Sequence, residues 1–224
     1  DFSLGWDNTG TVNQFGAAAI AGRLLGLDEE QMGNALGIAL NQVSGSMDNV
    51  NCKTMAFALP IALSSRNGVF SAELAQLGYT APQDPFFGSC GYFKLFTTQC
   101  KKENLTEDLG KRFLADCVIK AYSSCRSTHF AIDAAMEISE KHTIDPDKVD
   151  KIIVSVPTSQ VKGFVGKPFI PGKTPQVDGV FSIIYTVANT LLRKRVRPED
   201  FTHDAIFDSQ IQTLINKIEL TDKY

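Results

Sequence analysis

Residues 16–28 read Gly16-Ala-Ala-Ala-Ile20-Ala-Gly22-Arg-Leu-Leu25-Gly26-Leu27-Asp28, and this stretch decides the fold class of the first half of the chain. Alanine is the strongest helix former, so the density of Ala from 17 onward predicts a helix over 12–25, with Phe15, Ile20, Leu24 and Leu25 as its larger apolar residues. Gly26 is placed to take the left-handed conformation that ends a helix, and Leu27 to fold back over the last turn. Asp28 and Gln31 stand at the spacing of a capping box. They predict a second helix to about 43 that buries Met32, Leu36, Ile38, Ala39 and Val43. Alanine and glycine at this density let helix axes approach closely, so most apolar positions here are expected in the core.

Outward from this hairpin, Leu59, Leu63, Phe70, Leu74 and Leu77 recur at helical spacing and predict a helix over 59–77. Pro60 is tolerated in its first turn and Gly78 stops it. The 82–91 stretch reads as a loop with Phe86 and Phe87 turned inward, followed by a short polar helix over 106–113. From Cys117 the period changes. Residues 117–122 and, more strongly, 152–156 read as strands. An amphipathic helix over 127–141 is expected to bury Phe130, Ile132, Ala135, Met136 and Ile138. Thr174 and Pro175 open a helix to about 192, and a last helix over 207–215 leads to a strand at 218–220. The predicted fold is mostly α, with a helical domain over 1–112 followed by an α+β domain over 113–224.

Composition excludes several functions. Lys plus Arg number 22 against 25 Asp plus Glu, a net charge of −3, which is no footprint for a polyanion, so no nucleic-acid partner is expected. Five cysteines without a CxxC spacing indicate free thiols, a reducing compartment and hence a cytoplasmic location. The apolar run 15–27 is broken by Arg23 and falls short of the ~20 residues of a membrane span, so no membrane partner is expected. Gly172-Lys173-Thr174 ends like a phosphate loop, but Lys167 stands where its first glycine belongs. Pro168, Pro171 and Pro175 remove amide donors from the same loop. His129, His142 and His203 have no metal-ligand spacing, and no metal is expected.

Two constellations carry chemistry. The segment Lys120-Ala-Tyr122-Ser-Ser-Cys125-Arg126-Ser-Thr-His129 gathers cations, a phenol, a thiol and an imidazole ahead of a helix. A helix N-terminus attracts anions, so Ser127, Thr128 and their amides can hold a carboxylate beside Arg126 and Lys120. The alternative is a simple cap with its charges in water. In Asp178-Gly-Val-Phe181-Ser182-Ile-Ile-Tyr185, the polar residues fall on one helical face. Tyr185 then donates either to a substrate oxygen or to a core carbonyl.

The run 16–28, Arg66-Asn67-Gly68-Val69-Phe70, Cys125-Arg126-Ser-Thr-His129-Phe-Ala-Ile-Asp133 and Asp178-Gly-Val-Phe181-Ser182-Ile-Ile-Tyr185 together resemble the MmgE/PrpD family. That family includes 2-methylcitrate dehydratase, cis-aconitate decarboxylase and iminodisuccinate epimerase. The resemblance implies a helical domain plus an α+β lid, a homodimer, a site between the domains and metal-free, cofactor-independent chemistry on a small di- or tricarboxylate. It implies a hydro-lyase first, with epimerase, decarboxylase or a non-catalytic paralogue as alternatives. Carried over by position, Lys120 falls on a pocket lysine and Tyr185 on a pocket tyrosine. These two and His129 are the expected catalytic residues, with Arg126, Cys125, Ser182 and Asp7 binding substrate. Cys125 stands where decarboxylase-like members place a histidine. Asp7 replaces a frequent active-site histidine, and Phe57 replaces a family lysine, with Lys53 a short way upstream. Family members are longer than this chain, which is expected to be an internal piece of a larger protein.

Overall fold

In the computed structural model, which describes residues 4–112 and 119–223, the chain divides into two units. One comprises Asp1–Cys52 with Ala56–Ala115, the other Lys53–Met55 with Asp116–Tyr224. The junction expected at 112/113 borders residues outside the described set.

The first unit is helical: α1 (Asn8–Leu25), α2 (Glu29–Leu40), α3 (Asp48–Asn51), α4 (Leu59–Gln76) and α5 (Tyr92–Phe96). Gly26 ends α1 at φ +71°. The Asp28 carboxylate accepts the Gln31 amide at 2.8 Å, and the Gln31 side chain accepts the Asp28 amide at 3.1 Å, so the capping box forms. α2 stops at Leu40, earlier than expected. The expected helix over 106–113 is instead a 3-10 turn, Lys102–Leu105, followed by turns. Asp108 at φ +59° and Gly110 at φ +76° take left-handed conformations that a helix cannot continue through.

The expected core faces of these helices are corrected by the structure. Ile20 is 66% exposed, Leu24 83%, Phe70 50% and Leu77 78%. The buried faces carry the small and polar residues instead: Gly10, Thr11, Ala18 and Gly22 on α1, and Ser64, Gly68, Ser71, Ala72 and Ala75 on α4. The reason is the closeness of the two axes. A Cβ on Gly68 would lie 2.4 Å from the Ala17 Cβ and 2.7 Å from the Gln14 carbonyl oxygen, so the seam has no room for leucine. The larger apolar contribution comes from rings, with Phe15 against Phe86 at 5.0 Å and Tyr92 at 5.3 Å.

The second unit holds α6 (His129–Lys141), β1 (Ile152–Ser155), α7 (Thr158–Val161), α8 (Pro175–Val180), α9 (Ile183–Arg193), α10 (His203–Ile206), α11 (Ser209–Ile215) and β2 (Ile218–Thr221). β1 and β2 pair in parallel, Ile152 opposite Ile218 and Ser155 opposite Thr221. α9 is the centre. Every residue from Ile183 to Leu191 is buried, and α6 and α11 pack on it. A helix apolar or paired all round belongs inside a fold. On α6, Ile132 and Ala135 are buried, but Phe130 and Ile138, expected in the core, are 67% and 49% exposed.

The single helix expected over 175–192 is broken. Ser182 leaves the helical region at φ −127°, ψ 120° and accepts the Tyr185 amide at 3.1 Å as the N-cap of α9. Asp178 therefore lies on α8 and Tyr185 on α9, not on one face. The expected last helix forms as α11 and starts two residues late, at Ser209, because the Asp208 carboxylate takes the amides of Gln210 and Ile211 as its N-cap. Of the strand expected over 117–122, Cys117 and its neighbour 118 lie outside the described residues, and 119–122 is not strand.

The α1–α4 seam yields a direct test. Gly68→Ala forces a methyl into a backbone contact, and a cost of about 1–3 kcal/mol is expected. It should appear as a lower denaturant midpoint at unchanged slope; an unaltered midpoint would mean that the helices are not packed this closely.

Candidate functional site

The N-terminus of α6 is built by residues 119–129. The Cys125 amide donates to the Val180 carbonyl at 3.0 Å, tying the segment to the end of α8. Arg126–Thr128 forms a 3-10 turn into the helix. The Thr128 hydroxyl is turned back on this turn, donating to the Cys125 carbonyl at 2.8 Å and lying 2.8 Å from the Ser124 hydroxyl. It makes no side-chain cap on α6.

His129 is the first residue of α6 and only 3% exposed. Its ring meets Tyr122 edge to face at 5.1 Å. One ring nitrogen is engaged by the Ser124 backbone. The other, Nε2, is buried without a hydrogen-bond partner among the described residues. Burial, then the nearby charges of Arg126 and Lys120, push the imidazole below its ordinary value of 6.5, against the opposing Ser124 hydrogen bond and Asp133. The ring is therefore neutral at pH 7. With the proton on the nitrogen facing Ser124, Nε2 carries a free lone pair, which makes it a proton acceptor.

Lys120 and Arg126 are both exposed. The Arg126 guanidinium lies over the Phe130 ring at 4.9 Å, one helical turn on, which accounts for the exposed aromatic. Neither cation has a carboxylate partner among the described residues, whereas Lys141, Lys148, Lys151 and Arg193 do. Tyr122 donates to the Asp133 carboxylate at 2.6 Å, and this bond is the first cause of a phenol pushed up to about 12. Sequence reasoning quoted Tyr122 and Asp133 but gave them no joint role. Their separation along the chain, from a loop to the second turn of a helix, has no motif to mark it.

The remaining expected site residues are placed elsewhere. Tyr185 is fully buried and donates to the Asp200 carbonyl, one of the two partners weighed for it. It stacks on Phe169 at 5.2 Å, and burial is the first cause of its pKa rising to about 12. Ser182 is 1% exposed and its hydroxyl is spent on capping α9. Cys125 is a free, partly buried thiol packed against the second unit's core, next to Arg126. Asp7 belongs to the first unit. It caps α1, accepting the Thr9 amide at 2.9 Å, and is 7% exposed. The structure thus brings Lys120, Cys125, Arg126 and His129 together and assigns Tyr185, Ser182 and Asp7 hydrogen bonds within the scaffold. An apolar hollow of about 390 Å³, walled by α6, β1 and α9, is lined by no charged residue and offers a carboxylate no countercharge.

The buried imidazole sets a sign for stability. An unfolded chain protonates His129 near 6.5, whereas the folded chain resists until lower pH. Its contribution is therefore complete above 6.5 and is lost as pH falls towards the folded value. Melting temperatures between pH 5 and 8 should fall more steeply on the acid side for the wild type than for His129→Gln. Parallel curves would show that the ring is not desolvated.

Two family models match the chain: the MmgE/PrpD N-terminal domain over residues 3–104 and the MmgE/PrpD C-terminal domain over 122–223. Among similar curated proteins, the cis-aconitate decarboxylase-like protein oryM of Aspergillus oryzae is 27% identical across 96% of this chain and 47% of its own length. Cis-aconitate decarboxylase of Homo sapiens is 25% identical across 93% of this chain and 43% of its own. Cis-aconitate decarboxylase of Aspergillus terreus is 31% identical over 62% of this chain and 30% of its own. The chain spans less than half the length of these relatives. With matches to both family domains in order along one chain, it belongs to the MmgE/PrpD family.

Proposed function

We propose that the protein to which this chain belongs is a lyase acting on a small di- or tricarboxylate, with the N-terminus of α6 as part of its site. The observation that carries this reading is the buried Nε2 of His129, which among the described residues has no hydrogen-bond partner and stands near two cations that have no carboxylate partner. Loss of water or of CO₂ next to a carboxylate builds negative charge on the substrate while a proton moves. Arg126 and Lys120 supply the countercharge, and the neutral imidazole supplies a lone pair for the proton. Such an arrangement draws on side chains alone, in keeping with the cofactor-independent chemistry that the family resemblance implies. Tyr185, Ser182 and Asp7 enter this proposal as supports of the scaffold. The homodimer implied by the same resemblance is the proposed assembly.

Two finer readings have separate support. The hydro-lyase reading rests on Cys125, which stands where decarboxylase-like members of the family carry a histidine. The decarboxylase reading rests on the names of the relatives. We favour the hydro-lyase on a 2-methylcitrate-like substrate, because a thiol in place of an imidazole changes the chemistry of the segment that leads into the proposed base. Among the described residues no helix is long and apolar enough to cross a membrane.

Product NMR on 2-methylcitrate, cis-aconitate and iminodisuccinate separates the readings: loss of water, loss of CO₂ or inversion each gives a distinct product. His129→Gln is expected to lower kcat about 10²-fold or more, the usual scale of a lost general base. Lys120→Ala should chiefly raise KM at unchanged melting temperature. Full turnover by both variants would overturn the assignment.

A further inference from the structure

Tyr122 and Asp133 take no part in the proposed chemistry, yet they frame the imidazole that does. Residues 120–124 form neither helix nor strand, so no regular backbone ladder holds the segment that faces His129. Its far end is tied to α8 through the Cys125 amide. Its near end is tied to α6 through Tyr122, whose hydroxyl donates to the Asp133 carboxylate at 2.6 Å. Asp133 follows His129 by four residues on α6, which puts the two on one face, a single turn apart. The phenol thus spans from the base to the carboxylate one turn beyond it.

The contact between the rings has a defined geometry. Tyr122 and His129 stand with centroids 5.1 Å apart and planes at 72°, an edge-to-face arrangement that favours one angle between them. The second torsion of a histidine is broad, so a neighbour that limits it decides where Nε2 lies. The Ser124 backbone holds the other ring nitrogen, but a single hydrogen bond lets a ring rock about it. The phenol supplies the second restraint, and its bond to Asp133 keeps the phenol in place. That bond is also the first cause of a phenol pKa of about 12. A hydroxyl so committed is a poor proton donor to substrate, which gives Tyr122 a supporting part and not a catalytic one.

We propose that Tyr122 and Asp133 are positioning residues for His129: Asp133 holds the phenol, and the phenol holds the imidazole in the orientation that keeps its proton on Nδ1 and leaves Nε2 open. This inference rests on the reading of His129 as the proton acceptor.

Three variants separate the bond from the charge. Tyr122→Phe keeps the ring and the carboxylate but breaks the bond. Asp133→Asn removes the charge and keeps an acceptor, and Asp133→Ala removes both. In ¹⁵N-histidine spectra the wild type should show one neutral His129 tautomer, protonated on Nδ1, and so should Asp133→Asn. Tyr122→Phe and Asp133→Ala should show both tautomers in exchange. On the polycarboxylate that the protein converts, these two variants should lose about tenfold or more in kcat at little-changed KM, because a misplaced base loses rate steeply. Asp133→Asn should recover most of that loss, and the double variant Tyr122→Phe/Asp133→Ala should be no worse than either single one. The calorimetric affinity of Tyr122→Phe for tricarballylate, a tricarboxylate without a hydroxyl or double bond to react, should match the wild type. A single Nδ1 tautomer in every variant, or a kcat that follows the charge at Asp133 instead of its bond, would overturn the positioning role. A wild type that neither binds tricarballylate nor converts any polycarboxylate would overturn the lyase reading, and the tautomer pattern would still decide whether the pair holds the ring.

Discussion

At the start of α6 an imidazole is buried with one nitrogen held by the Ser124 backbone and the other left open. A buried polar atom without a partner costs about 1–3 kcal/mol, so folded proteins keep few of them. The rest of the candidate site depends on this one unsatisfied atom. Burial first, and then the charges of Arg126 and Lys120, neither of which has a carboxylate partner among the described residues, lower the ring's pKa. A bound carboxylate would offset the part of that shift which the two cations contribute, and the ring would then take a proton more readily. Ligand charge and proton affinity are coupled through the same few ångströms.

The scaffold explains why the imidazole stays where it is. Cys125 is anchored to the end of α8 and Thr128 is folded back on its own turn, so the segment before α6 is fixed by backbone bonds. Tyr122 lies against the ring, itself held by Asp133. Beneath them α9 is buried along its length, and the Tyr185–Asp200 hydrogen bond joins its first turn to the loop that follows it. Asp200 in turn accepts from Arg195 and from the Arg197 amide, which neutralises a carboxylate that is 1% exposed. Side chains that the sequence offered as pocket residues thus serve to make the platform rigid.

Local chemistry was legible in the sequence where it is short-ranged. Gly26, the Asp28–Gln31 box, the two separate strands (though not their pairing) and the helix beginning near His129 all follow from neighbours within a few residues. Helix faces were not legible in the first unit, because residue size misleads there: leucine and isoleucine suggested the core, but the close α1–α4 approach at Gly68 admits only small side chains. The Asp178–Ser182–Tyr185 spacing imitated one polar face, while the serine competed for the Tyr185 amide and started a new helix. The cluster around His129 was visible as composition, since Lys120, Cys125, Arg126 and His129 fall within one stretch of ten residues. The Tyr122–Asp133 pair was not, because no local pattern links a loop residue to the second turn of a helix.

The central claim concerns one nitrogen, and imidazole ¹⁵N NMR observes it directly. With labelled histidine, the His129 Nε2 resonance should report a neutral ring at pH 7 that titrates below 6.5 in the free protein. Saturating tricarballylate should then raise that titration midpoint, as the bound carboxylates offset Arg126 and Lys120. A His129 resonance that titrates at its ordinary value and ignores the ligand would contradict the account.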